Sequence, residues 1–196
     1  MVVVSVLARA AGGVTGKWTG GKAMANLYLL RHAKSDWTSG QVTDHDRPLN
    51  ERGRKSAARM GRLFAKLGMA PERVICSTAM RARETLDVAM EAGGLDWPVQ
   101  YGPALYMAAT QTILGVVRSD AGDCESALLV GHNPGFHSTA MELIKTGAPE
   151  LVHALDYKYP TGTLCEIEFD DKYLADITPS SGTLKRFVRP SDQTNA

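Results

Sequence analysis

Cysteine is scarce in this chain. Three residues, Cys76, Cys124 and Cys165, are scattered along its 196 positions. An odd, dispersed set with no CxxC spacing makes neither a disulfide framework nor a thiolate metal site. It favours a reducing, cytoplasmic compartment. Long apolar runs are also lacking, and none approaches the roughly 20 residues that span a bilayer, so no membrane partner is expected. Neither sign of charge dominates: 22 Lys and Arg stand against 21 Asp and Glu, a formal net charge of +1. No global field therefore draws in nucleic acid, and the clustered bases with interleaved aromatics of a nucleic-acid binder are absent. There is no internal repeat and no low-complexity tract. What is present is an ordinary globular balance, 44% apolar and 22% charged, at a length that suits one domain.

Residues 1–24 read differently from the rest. Val2 to Leu7 is apolar apart from Ser5, Arg9 ends the run, and Gly12, Gly13, Gly16, Gly20 and Gly21 follow. A secretory signal places basic residues before its apolar run, not after it. The segment is read as a non-core extension, with Met24 as a second start and the folded domain over 25–196.

From Asn26 onward, strand-like runs alternate with helical patterns, which predicts an α/β fold with helices on both faces of a mostly parallel sheet. Strands are expected at Asn26–Leu30, Arg73–Cys76, Val99, Ala127–Val130, Leu164–Phe169 (at an edge) and Leu184–Val188. Ala57, Met60, Leu63, Phe64 and Leu67 recur at helical spacing between an Asn50 cap and a Gly68 stop. Ser77 and Thr78 are predicted to cap a helix over about 79–92. A further helix covers about 110–119. Asn133-Pro134 opens another, with the cap at Asn and Pro in the first turn.

Three of these strands end in reactive residues. The first ends in Arg31-His32. The second ends in Ser77, with Arg81 in the first turn of the next helix. The third ends in Gly131-His132-Asn133. Ligands of open α/β sheets bind beyond the carboxyl ends of the strands. If the three strands are neighbours, two arginines and two histidines share one pocket, joined by helix N-termini that favour an anion. A planar guanidinium grips phosphate, and an imidazole beside it can attack phosphorus.

These motifs resemble the histidine phosphatase superfamily, also called phosphoglycerate mutase-like. The likeness lies in Leu29-Leu30-Arg31-His32-Ala33, in Ser77 to Thr85 with Arg81 at its centre, and in Gly131-His132-Asn133-Pro134-Gly135. The small bacterial phosphohistidine phosphatase group is the most similar, through Arg31 to Trp37, Asp46-Arg47-Pro48-Leu49 and Tyr159-Pro160-Thr161-Gly162. The resemblance implies a three-layer αβα sandwich and a phosphohydrolase that needs no metal or other cofactor. His32 would form a phosphohistidine, Arg31 and Arg81 would clamp the phosphoryl oxygens, and a protonated His132 would donate to them. Ser77 and Asn133 are further candidates for substrate binding. For Ser77, a helix-cap role explains the residue equally well.

One part departs from the pattern. Many superfamily members place an acid near 105–107 as proton donor to the leaving oxygen. Met107 stands there and cannot donate. Asp36, Asp44 and Asp46 are the replacements within reach in sequence. An alkoxide leaving group needs a proton, whereas an imidazole, with a reference pKa of about 6.5, needs less help. The substrate is therefore read as a phosphohistidine protein, with a small phosphorylated molecule as the other candidate. A non-catalytic phosphate-binding module and a mutase are the competing functions. His45 either touches substrate or only solvent, His137 packs in the new helix or lines the pocket rim, His153 and Arg83 read as surface residues, and Lys34 and Arg47 either widen a positive mouth or are ordinary loop charges.

Overall fold

The structure is a computed structural model and describes residues 24–37 and 43–193. The N-terminal extension read from the sequence thus lies outside the described residues, apart from Met24. Seven strands form one sheet: β1 (Ala25–Arg31), β2 (Arg73–Ser77), β3 (Val99–Gly102), β4 (Ser126–Gly131), β5 (Ile144–Gly147), β6 (Leu164–Phe169) and β7 (Gly182–Val188), in the spatial order β3-β2-β4-β1-β6-β7-β5. Five helices accompany them: α1 (Glu51–Lys66), α2 (Met80–Gly93), α3 (Thr110–Asp120), α4 (Gly135–Leu143) and α5 (Pro149–Tyr157). β1, β2, β3 and β4 run parallel, and β6 is antiparallel to both of its neighbours.

Strand periodicity divides the core. In β1, Leu27 and Leu29 pack with Ile113, Phe136 and Leu143 on the face covered by α3 and α4. Leu30 packs on the opposite face with Met60, Phe64 and Leu86 of α1 and α2. Successive side chains of a strand point to opposite faces, so a continuous apolar run in a central strand supplies both layers. The αβα sandwich follows from that pattern.

Helix α1 forms as predicted. The Asn50 side chain accepts from the Gly53 amide at 2.8 Å, and Gly68 takes the left-handed conformation (φ 63°) just after the end. Its first turn sits on the chain beyond β1: a Cβ at Gly53 would lie 2.0 Å from the Lys34 carbonyl oxygen.

Several expectations are corrected. β6 is internal, not an edge strand. Its alternating pattern fits an edge, but Glu166 pairs with Arg186 directly opposite on β7, and Glu168 pairs with Lys185 at 2.9 Å. Helix α2 starts after Ala79 without a side-chain cap: the Thr78 hydroxyl meets His45, and that of Ser77 meets His132. Helix α4 likewise starts at Gly135 with no side-chain cap, and the Asn133 amide nitrogen donates to the Tyr159 carbonyl. β5 and α5 were not anticipated. β5 has four residues and only one partly buried apolar side chain, Ile144. The start of α5 was signalled by Pro149 in its first turn. Among the described residues no helix is long and apolar enough to cross a membrane.

Candidate active site

Strand register brings the reactive ends together. β4 lies between β1 and β2. Arg31 is opposite Gly131, and Val130 is opposite Cys76. Arg31-His32, Ser77 and Gly131-His132 therefore emerge at one level of the sheet's carboxyl edge, around a cleft of about 320 Å³. Arg31, His32, Arg81, His132 and Asn133 all line it. Ser77 lies just behind, reaching the cleft through His132.

His32 continues the β1 ladder, its amide donating to the Gly131 carbonyl at 2.9 Å. Ring atom Nδ1 lies 2.7 Å from the Ala33 carbonyl oxygen. A carbonyl can only accept, so Nδ1 carries the hydrogen and Nε2 keeps a free lone pair. Burial pushes the imidazole pKa down to about 3. The Ala33 bond opposes this, and the neighbouring His132 and guanidiniums of Arg81 and Arg31 reinforce it. The ring is neutral near pH 7. Its backbone is anchored as well: the Ala33 amide donates to the Thr85 hydroxyl at 2.9 Å, which in turn donates to the Arg81 carbonyl at 2.6 Å.

Arg31 donates to the Tyr159 carbonyl at 2.6 Å. Tyr159 is buried and its hydroxyl donates to the Leu29 carbonyl at 2.6 Å, while the Gly162 amide reaches the Arg31 and His32 carbonyls. The 159–162 loop thus clasps the tip of β1. Arg81 is 2% exposed and is held by Asp44, through the backbone carbonyl at 2.5 Å and the carboxylate at 3.1 Å. Arg31 Nε, Arg81 Nε and His132 Nδ1 are buried and have no hydrogen-bond partner among the described residues. Buried guanidinium donors of this kind are costly unless an acceptor meets them, and two on one cleft suit an oxyanion.

The His132 ring lies 5.1 Å from that of His32, centre to centre, and its Nε2 is 2.9 Å from the Ser77 hydroxyl. Burial lowers its pKa to about 3, with Arg81 adding to the effect and Asp44 opposing it. This corrects the expectation of a protonated His132: in the free protein the ring is neutral, because burial disfavours the charged ring and the nearby Arg81 guanidinium adds to the effect. A bound dianion would favour its protonation.

Of the acids considered as proton donors, only Asp44 enters the cleft. The Tyr106 hydroxyl, donating at 2.8 Å, is the main cause that lowers its pKa to about 2, and Arg47 and Arg81 act in the same sense. It is a carboxylate and has no proton to give. Asp46 is exposed and bonded to Thr43 and His45, and Asp36 does not line the cleft. Met107 lines it, half-exposed. Arg47 is not a loose loop charge: it is buried, donates to Ser35 and Asp44, and stacks 3.6 Å above the exposed Trp37 ring. Lys34 is at the exposed mouth. His45 and His137 lie off the cleft, and His153 and Arg83 are exposed. Tyr106 was overlooked in the sequence. Its position just before the expected acid was the available signal.

Residues 27–106 match the model of the histidine phosphatase superfamily (branch 1). An uncharacterized protein of Mycobacterium tuberculosis (strain H37Rv) is 32% identical over 163 residues, 82% of this chain and 99% of the relative. The chain belongs to the histidine phosphatase superfamily. Two solved structures carrying the name phosphohistidine phosphatase SixA agree with this assignment. That from Nakamurella multipartitia has a TM-score of 0.72 at 28% identity and covers 86% of this chain and 97% of its own. That from Agrobacterium tumefaciens has a TM-score of 0.69 at 31% identity and covers 85% and 98%. Arg31-His32 stands at the tip of β1, His132 lies just beyond the neighbouring β4, and Arg81 is in the first turn of α2, which follows β2 on the far side of β4.

Proposed function

We propose that this phosphatase transfers the phosphoryl group of a phosphohistidine protein to His32 and then to water. The observation that carries the reading is the state of His32. It is neutral, its Nδ1 hydrogen is held by Ala33, which leaves Nε2 with the lone pair, and the residue lines a cleft together with Arg31 and Arg81. Nε2 attacks phosphorus in line as the bond to the leaving group breaks. The positive charge that develops on the ring is shared with the Ala33 carbonyl. The two guanidiniums stabilise the charge on the equatorial oxygens. Water then attacks the phosphohistidine, and Nε2 leaves as neutral imidazole.

The leaving group distinguishes the candidate substrates. Asp44 is ionised, and Met107 has no proton to give. A substrate imidazole protonated at its far nitrogen departs neutral without assistance, whereas an alcohol departs as a strongly basic alkoxide. A phosphoramidate is therefore the better match for this cleft than a sugar phosphate, and the same argument weighs against a mutase.

Turnover of a phosphohistidine protein, an aryl phosphate and an alkyl phosphate would test the reading. The expected order of kcat/KM places the first two well above the third. Acid-labile phosphate should be trapped on the native protein, and His32→Ala should lower kcat by a factor on the order of 10⁴ or more. Equal rates on alkyl phosphate and phosphohistidine would refute the substrate assignment. No release from any of the three would make the protein a phosphate-binding module.

A further inference from the structure

A second, larger cleft of about 890 Å³ opens beside the catalytic one, and Arg31, Lys34 and Thr161 line both. Seven basic side chains line the larger cleft against a single acid, Glu51, although the whole chain has a formal net charge of only +1. Positive charge is thus concentrated along one path leading to His32. Two of the cations are neutralised locally: Lys55 by Glu51 at 2.5 Å, and Arg189 by Asp192 at 3.1 Å. Lys34, Arg52, Arg59 and Lys158 are exposed and have no acidic partner among the described residues.

The spacing of these charges indicates what they accept. Arg52 and Arg59 are seven residues apart on the same face of α1, a separation of about 10 Å along the axis. Alternate side chains of an extended peptide are about 7 Å apart, so two or three carboxylates along one strand can meet these cations in turn. A single phosphate cannot reach them all. Among the described residues no aromatic side chain lines this larger cleft, whereas single-stranded nucleic acid is held by stacking on such platforms. A concave path between a helix and a loop also does not suit a flat lipid surface.

We propose that this basic cleft binds an acidic polypeptide segment of the protein substrate, next to the histidine whose phosphoryl group enters the catalytic cleft. The proposal deepens the phosphohistidine reading and rests on it for the identity of the residue at His32. The cations steer the acidic partner toward the cleft and lengthen its stay there, without contact with the reacting atoms.

The test uses the full chain and two phosphohistidine peptides of equal length, one flanked by Asp and Glu and the other by Ser and Gln. An aryl phosphate serves as the substrate without flanks. The native protein should prefer the acidic peptide by about tenfold or more in kcat/KM, through KM, and the preference should shrink as salt rises from about 50 to about 300 mM. Arg52→Glu with Arg59→Glu should abolish that preference and leave kcat on the aryl phosphate unchanged. Equal kcat/KM for the two peptides, or an acidic-peptide rate indifferent to the double substitution, would overturn the proposal. So would competition by a single-stranded oligonucleotide as strong as that by the unphosphorylated acidic peptide. Turnover of aryl phosphate but of neither peptide would end the phosphohistidine reading instead. Fluorescence anisotropy of the unphosphorylated acidic peptide would then judge the cleft separately. Binding lost in the double variant supports the proposal, and no binding to the native protein overturns it.

Discussion

The Arg81 guanidinium is 2% exposed, and in the free protein its terminal nitrogens are both engaged by one residue, Asp44. The Asp44 carboxylate, kept ionised by Tyr106, Arg47 and Arg81, is an internal anion lining the same cleft as the nucleophile. A phosphoryl dianion that binds Arg81 must compete with it and bears its repulsion. Asp44→Ala should therefore tighten binding of inorganic phosphate by about tenfold, or about 1.4 kcal/mol, as titration calorimetry would measure. Weaker binding would mean that Asp44 orients Arg81 rather than competes for it. His32 needs no such partner, because burial and a single backbone acceptor already fix its tautomer and leave it neutral.

At the level of elements, the site depends on how closely α1 approaches α2 and the chain after β1. A Cβ at Gly61 would lie 1.9 Å from the Ala89 carbonyl oxygen of α2, and backbone cannot yield as a flexible side chain can. Gly61→Ala should separate the two helices and cost about 1–3 kcal/mol, lowering Tm by roughly 2–12 °C in a chain of this size. Differential scanning calorimetry would show it, and an unchanged Tm would mean that the crossing relaxes freely. The sequence pattern placed α1 well, since Asn50, Gly68 and the apolar stripe are local signals. It misplaced the caps of α2 and α4 because Ser77, Thr78 and Asn133 suit a cap by residue type, yet their side chains bond to groups distant in sequence. It read β6 as an edge because the segment alternates, and alternation alone does not show that Glu166 and Glu168 find partners on β7.

For the molecule as a whole, two buried imidazoles couple folding to pH. The folded-state pKa values of His32 and His132 are both about 3, against about 6.5 in an unfolded chain. Below about pH 6.5 the unfolded chain binds these protons first, so stability is fully present above that value and is lost as pH falls toward about 3. Tm should therefore drop between pH 6.5 and pH 4. Saturating phosphate should restore part of it, because a bound anion favours the protonated ring. A replacement of both histidines by Asn should flatten the profile over this window. A native Tm insensitive to pH there would show that the rings stay accessible to protons in the folded state.

The αβα class, the three central strands and the four residues that converge, Arg31, His32, Arg81 and His132, were legible in the chain alone. Local apolar periodicity specifies the strands and helices, and each reactive side chain stands at the end of a strand, immediately after one, or in the first turn of a helix. Charge state and partner choice were not legible. Asp44 as a bound carboxylate, His132 as a neutral ring, and the unpaired cations of Lys34, Arg52, Arg59 and Lys158 gathered into one cleft depend on distances between segments remote in sequence. Those distances set desolvation and Coulomb interactions, which fall off through space and not along the chain.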